Sequence, residues 1–259
     1  TLDTHFAFQI FFNSFWQTQD GEPLAEHTMI ELSADGRRLV NFNFGANGKQ
    51  ILHEDVTPNP AICRLIGQSY SWLKEYVKHY CGELARTGKY TLYLWPYHCI
   101  LGTDGHALVG VLAEARMFHA FLRGSQSVSE IKGGGILTEN YSVYSPEVLM
   151  AHDGRVAVGQ KNARFLEVSI KADVHIMLGQ AGSHCVPSSI DSVLNEILTQ
   201  DASLAAKTYI VRDCMSPVVV PNGPDFTDQQ ESALKRFSDN GMHVVNSTDP
   251  IESWPDINL

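Results

Sequence analysis

The sequence predicts an α/β protein built on a parallel, Rossmann-like sheet with helices on both faces. Short apolar runs of strand length alternate with segments of helical spacing along much of the chain, and this alternation is typical of parallel sheets. The chain has 259 residues, of which 44% are hydrophobic, enough to bury the core of one large α/β domain. We therefore expect a single domain over residues 1–259, with an insertion at about 13–89.

The clearest strand–helix unit runs from Val174 to Ile197. An apolar run at 174–178 predicts a strand, and five apolar positions with helical spacing follow it, at Val186, Ile190, Val193, Leu194 and Ile197. Cys185 lies where the strand passes into the helix, and there backbone N–H groups and the helix dipole stabilise a thiolate. The residues alone leave two interpretations open: a catalytic nucleophile, or a buried structural cysteine at the junction.

The same patterns predict the remaining elements. Strands are expected at Leu39–Phe44, Tyr90–Leu94, Thr208–Arg212 and His243–Asn246. Helices are expected at Ala61–Leu84, His106–Arg123, Gly159–Ala172 and Asp228–Asn240. The second of these helices is predicted to face the core through Leu108, Leu112, Ala115, Phe118 and Phe121. The first predicted strand is expected to lie between turns at Asp35–Gly36 and Asn47–Gly48.

Charge and cysteine content exclude several classes of protein. The formal net charge of −10 argues against nucleic acid and anionic membrane surfaces, because both require basic patches. No apolar run approaches the roughly 20 residues of a membrane span. The cysteines are odd in number, scattered and never paired as C-x-x-C, at Cys63, Cys81, Cys99, Cys185 and Cys214. This pattern favours free thiols in a reducing compartment, so we expect a cytoplasmic protein.

Two short motifs carry side chains suited to a site, although each also has an ordinary interpretation. Asp3 and His5 lie two residues apart, so a strand would point both to one side, like two ligands of one metal ion. They could equally be the polar end of a strand. Lys132 precedes three glycines that allow a tight loop, and it is either a catalytic cation or a solvated surface charge.

Four fragments of the chain resemble motifs of one enzyme superfamily and occur in its order. They are LDTH at the N-terminus, LWPYHCILGTDGHALV at 94–109, IKGGG followed by YSVY, and GQAGSHCV at 179–186. Together they resemble the nicotinamidase/isochorismatase superfamily of cysteine hydrolases. Within this superfamily, the D-x-H and W-P-x-H-C motifs together resemble those of the nicotinamidases. The resemblance implies the isochorismatase-like hydrolase fold.

The resemblance implies a role for each matched residue. Cys185 would attack a carboxamide carbonyl and form a thioester as ammonia leaves, and Lys132 would favour the thiolate. Backbone N–H groups near Ala181 and Cys185 would form the oxyanion hole. The superfamily also carries a cis peptide that corresponds to Gln180–Ala181. Trp95 would help to form the pocket for the substrate ring.

The resemblance also implies a metal and partners. Asp3, His5 and His98 would bind a divalent metal, with Zn as the first choice and Fe or Mn as alternatives. In nicotinamidases this metal holds the pyridine nitrogen of the substrate. The expected partner is a small-molecule amide, with no nucleic acid and no membrane. Members of the superfamily often self-associate, so a homo-oligomer is expected.

Three features depart from the pattern of the superfamily. The general-base Asp of the superfamily lies on a strand before the D-x-H motif, and we expect that strand to be absent from this chain; Asp3 as the base is an alternative. Gln9 stands where many nicotinamidases have a further metal-ligating His. The gap between the D-x-H and W-P-x-H-C motifs, at about 13–89, is longer than usual and is expected to hold a hairpin and a long helix.

The sequence therefore predicts a metal-assisted cysteine amidohydrolase that cleaves a small carboxamide, with nicotinamide as the first candidate. One alternative is a hydrolase of another small C–N bond, of the ureido or maleamic type. Another is a catalytically silent member that binds a ligand or a partner through the insertion.

Overall fold

The computed structural model describes residues 1–44, 50–221 and 223–258, and its chain forms two compact units. The first unit takes in the described residues of 1–139 together with 147–159, and the second takes in those of 140–146 and 160–258. The expectation of a single domain stays a prediction. The predicted turn at Asn47–Gly48 lies outside the described residues.

The strands and helices of the two units follow one another along the chain. The strands are β1 (Leu2–Asp3), β2 (Trp16–Thr18), β3 (Met29–Leu32), β4 (Leu39–Phe44), β5 (Gln50–Pro58), β6 (Leu92–Tyr93), β7 (Ile131–Lys132), β8 (His175–Met177), β9 (Thr208–Val211) and β10 (His243–Val245). The helices are α1 (Ile62–Ile66), α2 (Tyr70–Arg86), α3 (Gly110–Arg123), α4 (Ala163–Lys171), α5 (Cys185–Gln200) and α6 (Thr227–Asp239). None of the described helices has the length and apolar character needed to cross a bilayer.

Four strands of the expected insertion form an antiparallel sheet in the first unit together with β6, which follows the insertion. Its strand order is β2-β5-β4-β3-β6, and every pairing is antiparallel. The predicted helix at 61–84 is divided into α1 and α2, because Gly67 adopts a left-handed conformation (φ 68°) and ends α1. Ser69 then accepts a hydrogen bond from the backbone of Trp72 and caps α2. The insertion is thus a larger structure than the hairpin and helix that the sequence predicts.

Parallel strand pairs occur in both units. In the first unit β1 pairs with β7, and in the second unit the order is β10-β9-β8 with both pairings parallel. The α/β class is therefore confirmed. The prediction of one parallel sheet holds only in part, because the largest described sheet is antiparallel. The residue pattern of a single strand does not show whether its neighbours in the sheet are parallel or antiparallel.

The second unit has the core that helical spacing predicts. The five apolar side chains singled out in the sequence of α5 are all buried: Val186, Ile190, Val193, Leu194 and Ile197. They belong to one cluster with Phe237 of α6, whose side chain is fully buried. Burying this apolar stripe holds α5, and so the residue at its first turn, in a defined orientation.

One prediction of core packing is wrong. The helix predicted at His106–Arg123 forms as α3, but none of its residues is buried in the structure. Leu112, Phe118 and Phe121 are 54%, 64% and 78% exposed. Amphipathic spacing shows that a helix has an apolar face, but it does not show which surface covers that face.

Two Leu→Ala substitutions test this difference in packing. Leu73 of α2 is fully buried, whereas Leu122 of α3 is 69% exposed. We expect Leu73→Ala to lower the free energy of unfolding by about 2–5 kcal/mol, since it removes apolar contacts and leaves a cavity. Leu122→Ala is expected to change it by less than about 0.5 kcal/mol. Urea denaturation measures both, and an equal cost at the two positions would show that the apolar face of α3 is covered in solution.

Candidate functional site

The parallel pairing of β1 and β7 brings two candidate residues together in the first unit. The register aligns Asp3 with Lys132. The Lys132 ammonium donates a hydrogen bond to Asp3 Oδ1 over 2.8 Å, and the two side chains are only 8% and 23% exposed. A buried charge requires a partner of opposite sign, so the ion pair accounts for a lysine in this position. Lys132 is therefore not the solvated surface charge of the alternative interpretation.

Two histidines join Asp3 in a cluster with metal-binding potential. His5 Nε2 lies 3.3 Å from Asp3 Oδ2, and the rings of His5 and His98 are 4.7 Å apart. One potential ligand atom from each of Asp3, His5 and His98 lies within 4.8 Å of the other two. The backbone N–H of His5 donates to the carbonyl of Cys99, which fixes the two segments side by side.

The hydrogen bonds of the two imidazoles fit a metal at this cluster. His5 Nδ1 contacts the Gly133 carbonyl at 3.2 Å, and His98 Nδ1 contacts the Pro96 carbonyl at 2.8 Å. A carbonyl oxygen only accepts, so each Nδ1 carries a proton, and in the neutral form of either ring the lone pair lies on Nε2. The His5 lone pair then faces a carboxylate oxygen of Asp3, and a cation between them removes the repulsion. A metal-binding histidine commonly donates its other ring N–H to a carboxylate, a backbone carbonyl or water, and both rings have a backbone carbonyl in this position.

The electrostatics of the cluster favour the protonation states that bind metal. Burial opposes ionisation of Asp3, but the neighbouring His5 ring and the positive charge of Lys132 outweigh it, so the pKa of Asp3 lies well below its ordinary value. Desolvation of the His98 ring lowers its pKa below the ordinary value. Near neutral pH the carboxyl is therefore ionised and the His98 ring is neutral, as coordination requires.

Gln9 connects the D-x-H segment to the glycine loop after Lys132. Its side chain is fully buried, its amide nitrogen donates to the carbonyls of Gly133 and Gly135, and its amide oxygen accepts from the backbone of Phe6. These contacts occupy the amide with backbone groups. Gly133 has φ +88°, and a Cβ there would lie 2.7 Å from the ring of His5, so this position requires glycine.

Trp95, the candidate for substrate binding, lies next to the cluster in sequence. Its backbone N–H donates to the carbonyl of Phe11, and its ring is 4.4 Å from that of Tyr93. The ring of Phe12 lies 5.7 Å from that of His98 and 4.8 Å from that of Tyr97. The buried rings of Phe11 and Phe12 thus pack against the two histidines.

The second unit holds the candidate nucleophile in the turn between β8 and α5. Cys185 is the first residue of α5, as the sequence predicts, and its side chain is partly exposed. The backbone N–H of Gly182 donates to the Ser216 carbonyl over 2.8 Å, and Ser183 Oγ accepts from the backbone of Val218 over 2.9 Å. These bonds fix the turn that precedes Cys185. A thiol at a helix start is favoured as the thiolate.

The backbone around Ala181 matches what the resemblance implies. The Gln180–Ala181 peptide is cis. The carbonyl of Ala181 accepts from the backbone N–H groups of His184 and Val186. Among the residues that the structure describes, none accepts a hydrogen bond from the Ala181 N–H. This donor is therefore available to an oxyanion, as a role in an oxyanion hole requires.

His184, beside the candidate nucleophile, packs among aromatic rings. Its ring lies 5.3 Å from that of Tyr141 and 4.7 Å from that of Phe226, and its Nδ1 is 2.8 Å from Ser183 Oγ. Burial lowers the pKa of His184 to about 4, so the ring is neutral near pH 7. The side chain helps to hold the turn and does not place a positive charge beside it.

Glu139 is a buried acid that the sequence reasoning missed. Its side chain is almost fully buried, and one carboxyl oxygen accepts from the Tyr90 hydroxyl over 3.2 Å. Burial, and then the nearby Glu147, raise the pKa of Glu139 well above its ordinary value. The available signal in the sequence was a carboxyl seven residues after Lys132 on the same loop. This position does not distinguish a buried carboxyl from an exposed one.

The raised pKa of Glu139 predicts a pH dependence of stability. The folded protein keeps this carboxyl protonated at pH values where the unfolded chain has lost the proton, so its stability falls as the pH rises above about 4.5. We expect Glu139→Gln to remove this fall. Between pH 5 and pH 8 the free energy of unfolding of the variant should rise relative to that of the wild type by at least about 1 kcal/mol. Urea unfolding at both pH values measures the gain. Exposed Glu114→Gln is the control, and parallel pH curves for wild type and Glu139→Gln would contradict the prediction.

The structure thus brings four of the predicted site residues together in the first unit: Asp3, His5, His98 and Lys132. Cys185 and Ala181 belong to the second unit.

Comparison with known proteins gives matches among solved structures. The solved structures similar to this chain include nicotinamidases and pyrazinamidases. A nicotinamidase/pyrazinamidase from Acinetobacter baumanii is 21% identical, with 61% of this chain and 62% of that chain covered and a TM-score of 0.39. The yeast nicotinamidase bound to the inhibitor nicotinaldehyde is 16% identical, with 95% and 78% covered and a TM-score of 0.46.

A third similar structure contains a metal. The pyrazinamidase of Pyrococcus horikoshii in complex with zinc is 16% identical, with 63% of this chain and 67% of that chain covered and a TM-score of 0.35. The matched region spans less than two thirds of the Acinetobacter chain. No family model matches this chain, and no curated protein matches it at a significant level.

Proposed function

We propose that this protein is a metal-assisted cysteine amidohydrolase of the nicotinamidase/isochorismatase type, which cleaves a small carboxamide to an acid and ammonia. The observation that carries the proposal is the cluster of Asp3, His5 and His98, with their ligand atoms within 4.8 Å and with Lys132 paired to Asp3. These four residues come from the motifs on which the resemblance rests. Nicotinamide is the first substrate to test, because the resemblance is to the nicotinamidase branch.

The donor set of the cluster suits a small divalent metal. Two imidazoles and one carboxylate, with positions left open for water or substrate, are typical of catalytic zinc and are also used by iron and manganese. When bound, the metal would supply a Lewis acid that holds a ring nitrogen of the substrate. The aromatic side chain of Trp95 would contact a face of the substrate ring and orient it.

Cys185 is the proposed nucleophile. Its thiolate, stabilised at the start of α5, would attack the amide carbonyl carbon, and the negative oxygen would accept a hydrogen bond from the Ala181 N–H. The C–N bond then breaks, and the nitrogen leaves as ammonia with the proton that the thiol gave up. Water hydrolyses the thioester, releasing the acid and restoring the thiol. Lys132 is proposed to favour the thiolate through its positive charge.

The first test is ammonia release from a panel of primary amides with Zn²⁺ supplied. The panel contains nicotinamide, pyrazinamide, maleamate and a ureido compound. We expect nicotinamide or pyrazinamide to be cleaved, and the metal chelator to stop the reaction. Ammonia release from maleamate or the ureido compound alone would support a C–N hydrolase but would contradict the proposed nicotinamide-like substrate. No release from any compound by folded, metal-bound protein would contradict the proposed function.

A further inference from the structure

A second concave site lies in the first unit, between α2 and the antiparallel sheet. It is a cleft of about 390 Å³, open on one side, and residues of α2, β2 and β5 line it together with the turn between β3 and β4. Ligand sites in proteins commonly measure about 300–1,000 Å³, so the cleft is large enough for a molecule of nucleotide size. No residue of the proposed active site lines it.

The cleft carries two positive charges that no carboxylate neutralises. Arg38 binds both carboxyl oxygens of Asp55 at 3.0 Å, and Lys78 pairs with Glu75 at 2.7 Å. The other two cations in the lining are Arg37 and Lys74. Within the described part of the chain, neither has an acidic side chain in ion-pair distance.

The two unpaired cations stand out because the chain as a whole is acidic. The formal net charge is −10, yet the cations and carboxylates that line this cleft leave it net positive. Low-dielectric walls concentrate the field of such charges and attract anions into the concavity.

The walls of the cleft are fixed by hydrogen bonds. The Tyr70 hydroxyl donates to the Pro58 carbonyl over 3.1 Å and lies 2.6 Å from Thr57 Oγ1, which joins α2 to β5. The Lys74 ammonium sits over the Tyr70 ring, 5.1 Å from its centre. The Tyr70 ring thus restricts the side chain of Lys74. Lys74 therefore loses less conformational entropy on ligand binding than a lysine without such a contact.

We propose that this cleft binds a phosphate-bearing small molecule of nucleotide size, with its phosphate groups between Arg37 and Lys74. A phosphate carries about two negative charges on one centre at neutral pH, which matches the two unpaired cations. The planar guanidinium of Arg37 suits two phosphate oxygens, and Lys74 supplies a compact charge beside it. The non-phosphate part of the ligand would contact the ring of Tyr70, which lines the cleft and is partly exposed. The proposal is independent of the proposed amidohydrolase activity.

Calorimetric titration of the full chain tests the proposal, with inorganic tripolyphosphate, ATP, adenosine and citrate as probes. We expect saturable binding of tripolyphosphate and ATP with one site per chain, tighter binding of ATP, and weakening as the salt concentration rises. Adenosine and citrate are expected to bind at least about tenfold more weakly. Arg37→Ala/Lys74→Ala is expected to weaken ATP binding about tenfold or more, since it removes charge-assisted hydrogen bonds.

The control is Arg64→Ala, which removes an exposed cation of the same unit that does not line the cleft. It is expected to leave ATP binding unchanged. Both variants alter exposed side chains, and circular dichroism confirms that they fold. The proposal is overturned by the absence of saturable phosphate binding, by equal loss in Arg64→Ala and the double variant, or by citrate binding as tightly as the phosphates.

Discussion

Cys185→Ala is expected to lower the rate of amide hydrolysis by roughly 10⁴-fold or more, because removing a covalent nucleophile leaves only what substrate binding and oxyanion stabilisation contribute. The substitution removes one sulfur from a partly exposed side chain at the first turn of α5, so the fold is expected to persist. Ammonia release under saturating substrate measures the rate. A wild-type enzyme trapped with a slow substrate should also show the added mass of the acyl group, which Cys185→Ala cannot carry.

Cys214→Ala is the matched control for this experiment. Cys214 is also a partly exposed thiol of the second unit, and it lies outside the turn that precedes α5. Its substitution is expected to change the rate less than about twofold. Full activity in Cys185→Ala, or equal losses in the two variants, would remove Cys185 from the mechanism and with it the thioester route.

His98→Ala is expected to weaken Zn²⁺ binding by at least about 100-fold. The loss of a group that only supports a metal ligand costs about 10–100-fold in affinity, and His98 is proposed to be a ligand itself. Competition with a chelating zinc indicator measures the affinity without any assay of activity. The hydrolysis rate is expected to fall with the metal content. Excess Zn²⁺ is expected to restore part of the rate if His98 contributes only metal affinity.

His119→Ala serves as the control for metal binding. His119 is an exposed imidazole on α3, outside the cluster of three ligands, and its loss is expected to leave the zinc affinity unchanged. Equal affinity in the wild type and His98→Ala would show that the three side chains do not hold the metal together. The proximity of Asp3, His5 and His98 would then serve structure alone, through the ion pair with Lys132.

Much of the local structure could be predicted from the residues. The apolar spacing of α5 and the small residues before it predicted the strand, the turn and the helix, with Cys185 at the helix start. Asp3 and His5 were predicted on one side of a strand; only Asp3 lies in β1, but the ligand atoms of the two residues are close together. These predictions succeeded because local spacing and backbone geometry decide which side chains share a face.

Only the tertiary structure decided which distant segments meet. The β1–β7 register puts Lys132 opposite Asp3, and the buried amide of Gln9 holds the glycine loop against the D-x-H segment. The antiparallel sheet with its cationic cleft, and the exposed apolar face of α3, were likewise absent from the sequence prediction. A local pattern specifies the type of an element and its apolar face, but pairing and burial depend on contacts between segments far apart in the chain.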